Sequence, residues 1–491
     1  MYKLKDWYFL LFLFPLLIQA QEKIAFDDHF YDITMRIDID HGGNAKNEYI
    51  SLSQIYRYGK WAGSRMNLLD QFNLGRYYAK LYDARTGKLI FSKGFDSYFA
   101  EYATTEKAGK GIPHLYQETI LAPCPKDSAI FALERRDSLN ALYQIFSTLI
   151  GPAAAEVIKK EFSDPSVKVF QPVNSGDIHD KVDIAFIAEG YSQDEEAKFQ
   201  EDMKRFTDIF FDFEPYKSQK NDFNIYAVFK PSIESGVDEP RAGIYKQTSV
   251  SATFNSLDSE RYLLTEDNKA LRDIAAHVPY DAVCIMVNAE RYGGGGIYNQ
   301  FCTFTSDNQW SSYLLLHEFG HSFSGLADEY YSSDVAYTDF YPQGVEPVEP
   351  NITALLDAPH VKWEGLKTPG VKIPTLWQKD SYDSLNFSWQ EIRKQLNDKI
   401  AELKRTGASQ AEIEAAETDY RNRDRETADK LDLFIMDNPL ADTVGAFEGA
   451  GYSSRGLYRP MLDCLMFSKG TKNVCHVCNH AIQKVIRYYR E

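Results

Sequence analysis

The stretch "WSSYLLLHEFGHSFSGLADEYY", residues 310–331, decides how the second half of the chain is read. Apolar Leu314, Leu315, Leu316 and Phe319 predict a helix fixed in a core, and Gly325, four residues beyond His321, predicts its end in a left-handed cap. On such a helix His317 and His321 stack on one face about one turn apart, close enough for both imidazoles to bind one ion. Glu318 is rotated around the helix from the first histidine. It is placed to hold a metal's water rather than the metal, which is the work of a general base in hydrolysis. Past the cap the chain can turn back toward the ion. Asp328, three residues beyond Gly325, is then the natural third ligand, and a fourth position stays open for water, as hydrolytic zinc sites require. The bland alternative is a structural helix with two core histidines; Glu318, Gly325 and Asp328 together weigh against it.

Upstream of this helix, "RYGGGGIYNQFCTFTSD" places four glycines, Gly293 to Gly296, before a run that reads as an edge strand reaching Thr305. Such an edge can pair with an extended peptide. The glycines lack the lysine and spacing of a phosphate-binding loop. Further upstream, "KVDIAFIAEGYS", "DFNIYAVFKPS" and "YDAVCIMVNA" read as buried strands, and Phe199, Met203, Phe206 and Ile209 recur at helical spacing between the first two. Strand and helix alternate, so residues 166–491 predict an α/β domain with a mixed, largely parallel sheet. Within it, charged residues from about 386 to 431, broken at Gly407 and restarted by Ser409 with Glu412, predict an inserted helical hairpin. Residues 21–140 alternate β-like runs with turns and predict an all-β, sandwich-like domain. Residues 141–165, around "IGPAAAEVIKKEFS", read as a linker with a helix.

The N-terminus, "MYKLKDWYFLLFLFPLLIQAQ", has the charged, apolar, small-residue order of a secretory signal peptide over residues 1–20. The apolar run is short for a membrane span, so the mature chain is expected to be exported without a transmembrane segment, to the periplasm, the cell surface or the medium. Losing Lys3, Lys5 and Asp6 takes the formal charge from −17 to −18, and an acidic surface argues against nucleic acid as a partner. Six cysteines in an exported chain permit up to three disulfides. In "CHVCNH", residues 475–480, disulfide or other structural use is favoured over a compact zinc site, and His476 and His480 read as surface or structural residues.

"HEFGHSFSGLADEYY" resembles the zinc signature of the immunoglobulin A peptidase family, secreted bacterial metallopeptidases related to the metzincins. "AFIAEGY", "ESGVDEPRAGIY", "GGGGIYNQFCTF" and "VGAFEGAGYSSRGLYRPMLDCLMF" extend the resemblance over nearly everything after residue 165, and the β-rich front resembles the family's N-terminal domain. The resemblance implies a metzincin-like zinc peptidase fold, Zn2+ as cofactor, a protein or peptide substrate, His317 and His321 as ligands, Glu318 as acid/base, and a methionine turn at "CLMF" with Met466 beneath the metal. The chain departs from the metzincin spacing: Gly325 stands four rather than three residues after the second histidine, and the third ligand position holds Asp328 instead of histidine, which leaves Glu329 as a rival. No tyrosine stands two residues after Met466, so Tyr458 in "GLYRP" is the candidate for stabilising an oxyanion. A zinc hydrolase of another amide, in cell wall or N-acyl sugar, and a noncatalytic surface binder acting through the β domain are the other classes. The intact Glu318 argues against the binder.

Overall fold

The computed structural model describes residues 23–490 apart from 155–156, 333–339, 359 and 471. The signal-like segment lies outside the described residues. From the N-terminus, a single turn α1 (Phe26–His29) leads into β1 (Phe30–Gly43), β2 (Glu48–Tyr58), β3 (Tyr77–Asp83) and β4 (Leu89–Phe95). Two short helices follow, α2 (Tyr98–Ala103) and α3 (Glu106–Gly109), and then β5 (His114–Pro125), β6 (Ala129–Arg136), β7 (Leu142–Ile150) and β8 (Val157–Lys159). These strands form two four-stranded sheets, ordered β5-β1-β2-β8 and β4-β3-β6-β7. Alternation decides what they bury: Met35, Ile37 and Ile39 of β1 share one core with Tyr77, Ala79 and Leu81 of β3 and Phe131 and Leu133 of β6.

The helix expected between 141 and 165 is a correction. Residues 142–150 pair antiparallel with β6 along their length, and residues 157–159 run parallel to β2. Tyr143, Ile145, Phe146, Thr148 and Ile150 fit a pleated edge strand. That edge leaves Tyr143 and Leu149 exposed, which blurs the period-2 pattern that marks a half-buried strand.

The second half is built on a six-stranded sheet. Its strands are β9 (Lys168–Val173), β10 (Val182–Glu189), β11 (Phe223–Phe229), β12 (Ala282–Val287), β13 (Gly294–Ile297) and β14 (Phe301–Thr305), in the order β13-β14-β12-β10-β11-β9. The inner four are parallel and the two edges antiparallel. Every residue of β10 and β11 is buried, as expected of parallel strands covered on both faces. On one side lie α4 (Glu196–Phe210), opened by a Ser192–Glu195 capping box, and the histidine helix α6 (Ser311–Ser324); on the other lies α5 (Asn268–Ala275). The charged stretch forms the hairpin α7 (Lys379–Arg405) and α8 (Gln410–Met436), turned by a capping box at Ser409 and Glu412. A two-stranded ribbon, β15 (Phe447–Ala450) and β16 (Ser453–Arg459), and the helix α9 (His476–Arg490) complete the chain.

The two halves are tied by buried polar contacts. Arg36 on β1, with no exposed surface, pairs with Asp38 and with Asp273 of α5, each at 2.7 Å, and Asn268 donates to Thr119 of β5 at 2.8 Å. No helix among the described residues is long and apolar enough to cross a membrane. None of the six cysteines is bonded to another; Cys284 and Cys302 face each other across β12 and β14 with their sulfurs 3.3 Å apart.

Candidate active site

Helix α6 presents His317 and His321 to one side, and the chain returns to them through a left-handed Gly325 at φ 58°. The Gly325 and Leu326 amides close the helix end on the carbonyls of His321 and Gly320. Asp328 then arrives beside both imidazoles. His317 Nε2 and His321 Nε2 stand 3.0 and 3.2 Å from Asp328 Oδ1 and 3.1 Å from each other. Adjacent donors of a tetrahedral zinc ion, each bound at about 2.0–2.1 Å, lie about 3.3 Å apart, so this triangle has the edge lengths that an ion needs.

Hydrogen bonding to the outer nitrogens supports the same assignment. His317 Nδ1 lies 3.1 Å from the Leu465 carbonyl and His321 Nδ1 2.6 Å from that of Leu326. A carbonyl only accepts, so each Nδ1 carries the proton and each Nε2 offers its lone pair inward. Asp328 Oδ1 is buried against the two imidazole nitrogens, while Oδ2 accepts from the Tyr452 hydroxyl. Two inward lone pairs and a buried carboxylate oxygen meeting at one point fit a cation. Burial opposes a charge on His321, but Asp328 outweighs it and raises the imidazole to about 9, while Asp328 is held well below the usual carboxylate range. A proton on His321 therefore competes with a metal for the same lone pair.

Glu318 lies in the same cleft, and burial pushes its carboxyl above the ordinary range against the pull of the two histidines. The glycine run explains how it fits. A Cβ at Gly294 would meet Glu318 Oε1 at 2.9 Å, and one at Gly296 would meet the Glu318 carbonyl oxygen at 2.5 Å. Only glycine lets β13 pass this close under α6. The expected edge is displaced by one strand: β14, the run reaching Thr305, lies inside the sheet between β13 and β12, and the glycine run itself forms the edge as β13, with Gly294 bridged to Tyr262 on its outer side. Beneath the site, Met466 is fully buried with its sulfur 3.1 Å from where a Gly320 Cβ would stand, and its carbonyl accepts the Glu329 amide at 2.8 Å.

Two expectations about neighbouring residues change. Glu329 points away from the histidines, into a cluster with Cys464, Cys475 and Cys478. Tyr458 sits on β16, where its backbone pairs with Glu448 and Thr353, and it does not line the cleft. Its neighbours Leu457 and Arg459 are the buried ones, so strand alternation turns Tyr458 away. The tyrosines that line the cleft are Tyr262, Tyr292, Tyr298, Tyr330, Tyr341 and Tyr452. Tyr330 lies nearly parallel to the His317 ring and accepts from Arg261 at 3.0 Å. The β-rich half contributes Arg76, Asp96 and Glu101, a role that no local sequence signal announced.

Residues 171–486 match the family described as IgA Peptidase M64, and residues 25–147 match the one described as Peptidase M64 N-terminus. The chain belongs to the IgA peptidase M64 family. Members of M64 are metallopeptidases, hydrolases whose substrates are proteins or peptides. No curated protein matches the chain.

Proposed function

We propose that this M64 chain is an exported zinc endopeptidase with a metzincin-like catalytic domain, in which His317, His321 and Asp328 hold the metal and Glu318 is the general base. The observation that carries the reading is the convergence of the His317 and His321 Nε2 atoms and the buried Asp328 Oδ1 within 3.2 Å of one another, beside a buried glutamate. Bound zinc supplies a Lewis acid for the scissile carbonyl and lowers the pKa of the attacking water.

The protein's own groups do the rest. Leu465 and Leu326 fix the tautomers and directions of the two histidines through their carbonyls, and Tyr452 fixes Asp328. Glu318 takes a proton from the attacking water and passes it to the leaving amine nitrogen. We assign stabilisation of the developing oxyanion to Arg261 and Tyr330, which line the cleft 3.0 Å from each other, in place of Tyr458, which does not line it. The β-rich half closes one wall of the cleft through Arg76 and Glu101 and so contributes to substrate choice. The N-terminal signal-like sequence supports export and an extracytoplasmic substrate.

The test is metal analysis of the mature chain with digestion of a mixed peptide library, wild type beside Glu318→Gln. The variant should keep its metal and lose at least about 100-fold in turnover. Full proteolysis by Glu318→Gln would sink the reading. Zinc without cleavage of any peptide would move the activity to a nonpeptide amide.

A further inference from the structure

Behind the catalytic loop lies a second group of metal-type donors that takes no part in the proposed hydrolysis. Glu329, Cys464, Cys475 and Cys478 are all buried, and one donor atom from each lies within 4.8 Å of all the others. We propose that these four residues hold a second, structural zinc ion in a closed site of three sulfurs and one oxygen.

Distances separate this from a disulfide. Cys464 Sγ and Cys478 Sγ are 3.8 Å apart, whereas a disulfide needs about 2.05 Å. Two thiolates on one tetrahedral zinc, each at about 2.3 Å, are about 3.8 Å apart. Glu329 Oε1 lies 3.1 Å from Cys478 Sγ and 3.8 Å from Cys475 Sγ. Three thiols are also an odd number, so any one disulfide among them would strand the third.

Backbone amides and a helix end reach the sulfurs. Cys475 Sγ accepts the Cys478 amide at 3.4 Å, and Cys464 Sγ accepts the Cys475 amide at 3.2 Å. Cys475 and Cys478 sit at the N-terminus of α9, where the helix dipole favours negative charge. Glu329 has no exposed surface, and its Oε2 has no hydrogen-bond partner. A buried carboxylate in that condition calls for a cation. The fully buried Arg459 guanidinium, whose Nε is also unpartnered, acts on Glu329 and offsets part of the excess negative charge. Three soft sulfur donors select zinc over magnesium or calcium, and four protein ligands leave no open position for substrate. His476 is exposed and His480 half-buried, and neither belongs to the cluster.

The inference does not depend on the histidine site being a metal centre. The full mature chain is purified beside a His317→Ala/His321→Ala variant, and zinc per chain, free thiols and intact mass are measured. The wild type should hold about two zinc ions and the variant about one, the latter released by a thiol-binding mercurial. Cobalt placed in the variant should show an intense thiolate charge-transfer band. Because Cys475→Ser can fail to fold, Glu329→Gln serves as the milder probe, and a chelator should remove the second zinc from it at least about tenfold more readily. One zinc in the wild type and none in the variant would overturn the second site while leaving the first. One zinc in both would remove the first and keep the second. A mass showing a disulfide among Cys464, Cys475 and Cys478 would overturn the proposal.

Discussion

Replacing Gly296 by alanine tests how tightly the catalytic helix is seated. The new Cβ would stand 2.5 Å from the Glu318 carbonyl oxygen and 2.9 Å from His321 Cβ, where carbon contacts normally begin at about 3.5 Å. Both obstacles sit on or beside helix backbone and cannot rotate away, so β13 and α6 must part by roughly 1 Å. A shift of that size at a catalytic centre costs about 100-fold in rate, and overpacking of this kind costs about 1–3 kcal/mol in stability. Gly294→Ala is the informative contrast. Its nearest obstacles are Glu318 Oε1 at 2.9 Å, Glu318 Cγ at 3.0 Å and the Thr303 carbonyl oxygen of β14 at 3.0 Å, so it displaces the Glu318 side chain and strains the β13–β14 pairing without touching either histidine. Gly296→Ala should therefore lose both kcat/KM and metal affinity, and Gly294→Ala should lose kcat with zinc retained. The assay is steady-state cleavage of a library-selected peptide, with zinc content and melting temperature recorded for each variant. A Gly296→Ala protein with wild-type kcat/KM and an unchanged melting temperature would refute this account of the glycine run.

Two further outcomes follow from groups outside that contact. Tyr452→Phe removes the hydroxyl that Asp328 Oδ2 accepts from, and competition with a chelator should show metal affinity lower by about 10–100-fold, while Tyr458→Phe stays at wild type. In the β-rich half, His41 bridges Glu118 and Glu48 at 2.7 Å each; burial opposes its charge, but the two carboxylates raise it from 6.5 to about 9. A raised folded-state value means that this stability is fully present below about pH 6.5 and is lost as pH rises toward 9, about 3 kcal/mol in all. Thermal melts from pH 6 to 10 should show that decline, and it should be absent in His41→Gln.

Local pattern made the helix that carries His317 and His321, its Gly325 cap and the return of Asp328 to both imidazoles readable, because each rests on spacing within about a dozen residues. The buried strands β10, β11 and β12 were equally plain, since parallel strands covered on both faces write continuous apolar runs. Long-range facts were not readable. Residue 458 sits near the methionine turn in sequence, yet pairing with Glu448 and Thr353 turns its side chain away from the cleft, and no spacing rule reports which face a ribbon presents. Residues 142–150 lost their strand signal because they form a sheet edge. The neighbours of the two cysteines in "CHVCNH" were not readable either, because Glu329, which joins them and Cys464 in one cluster, stands nearly 150 residues upstream.

That last grouping follows from the way Asp328 and Glu329 face opposite sides. The segment is laced between two others: Asp328 accepts the Gly451 amide, Glu329 donates its amide to Met466, and Tyr330 accepts the Tyr452 amide. Chain held in this ladder-like way sends successive side chains to opposite sides. Asp328 therefore reaches the histidines, and Glu329 reaches the cysteines. The carbonyl that orients His317 belongs to Leu465, one residue after Cys464, and the carbonyl that anchors Glu329 belongs to Met466, one residue further. An ion bound by the cysteines would thus clamp the backbone that aims His317 and the loop that delivers Asp328, placing a rigid closed site behind the proposed open one.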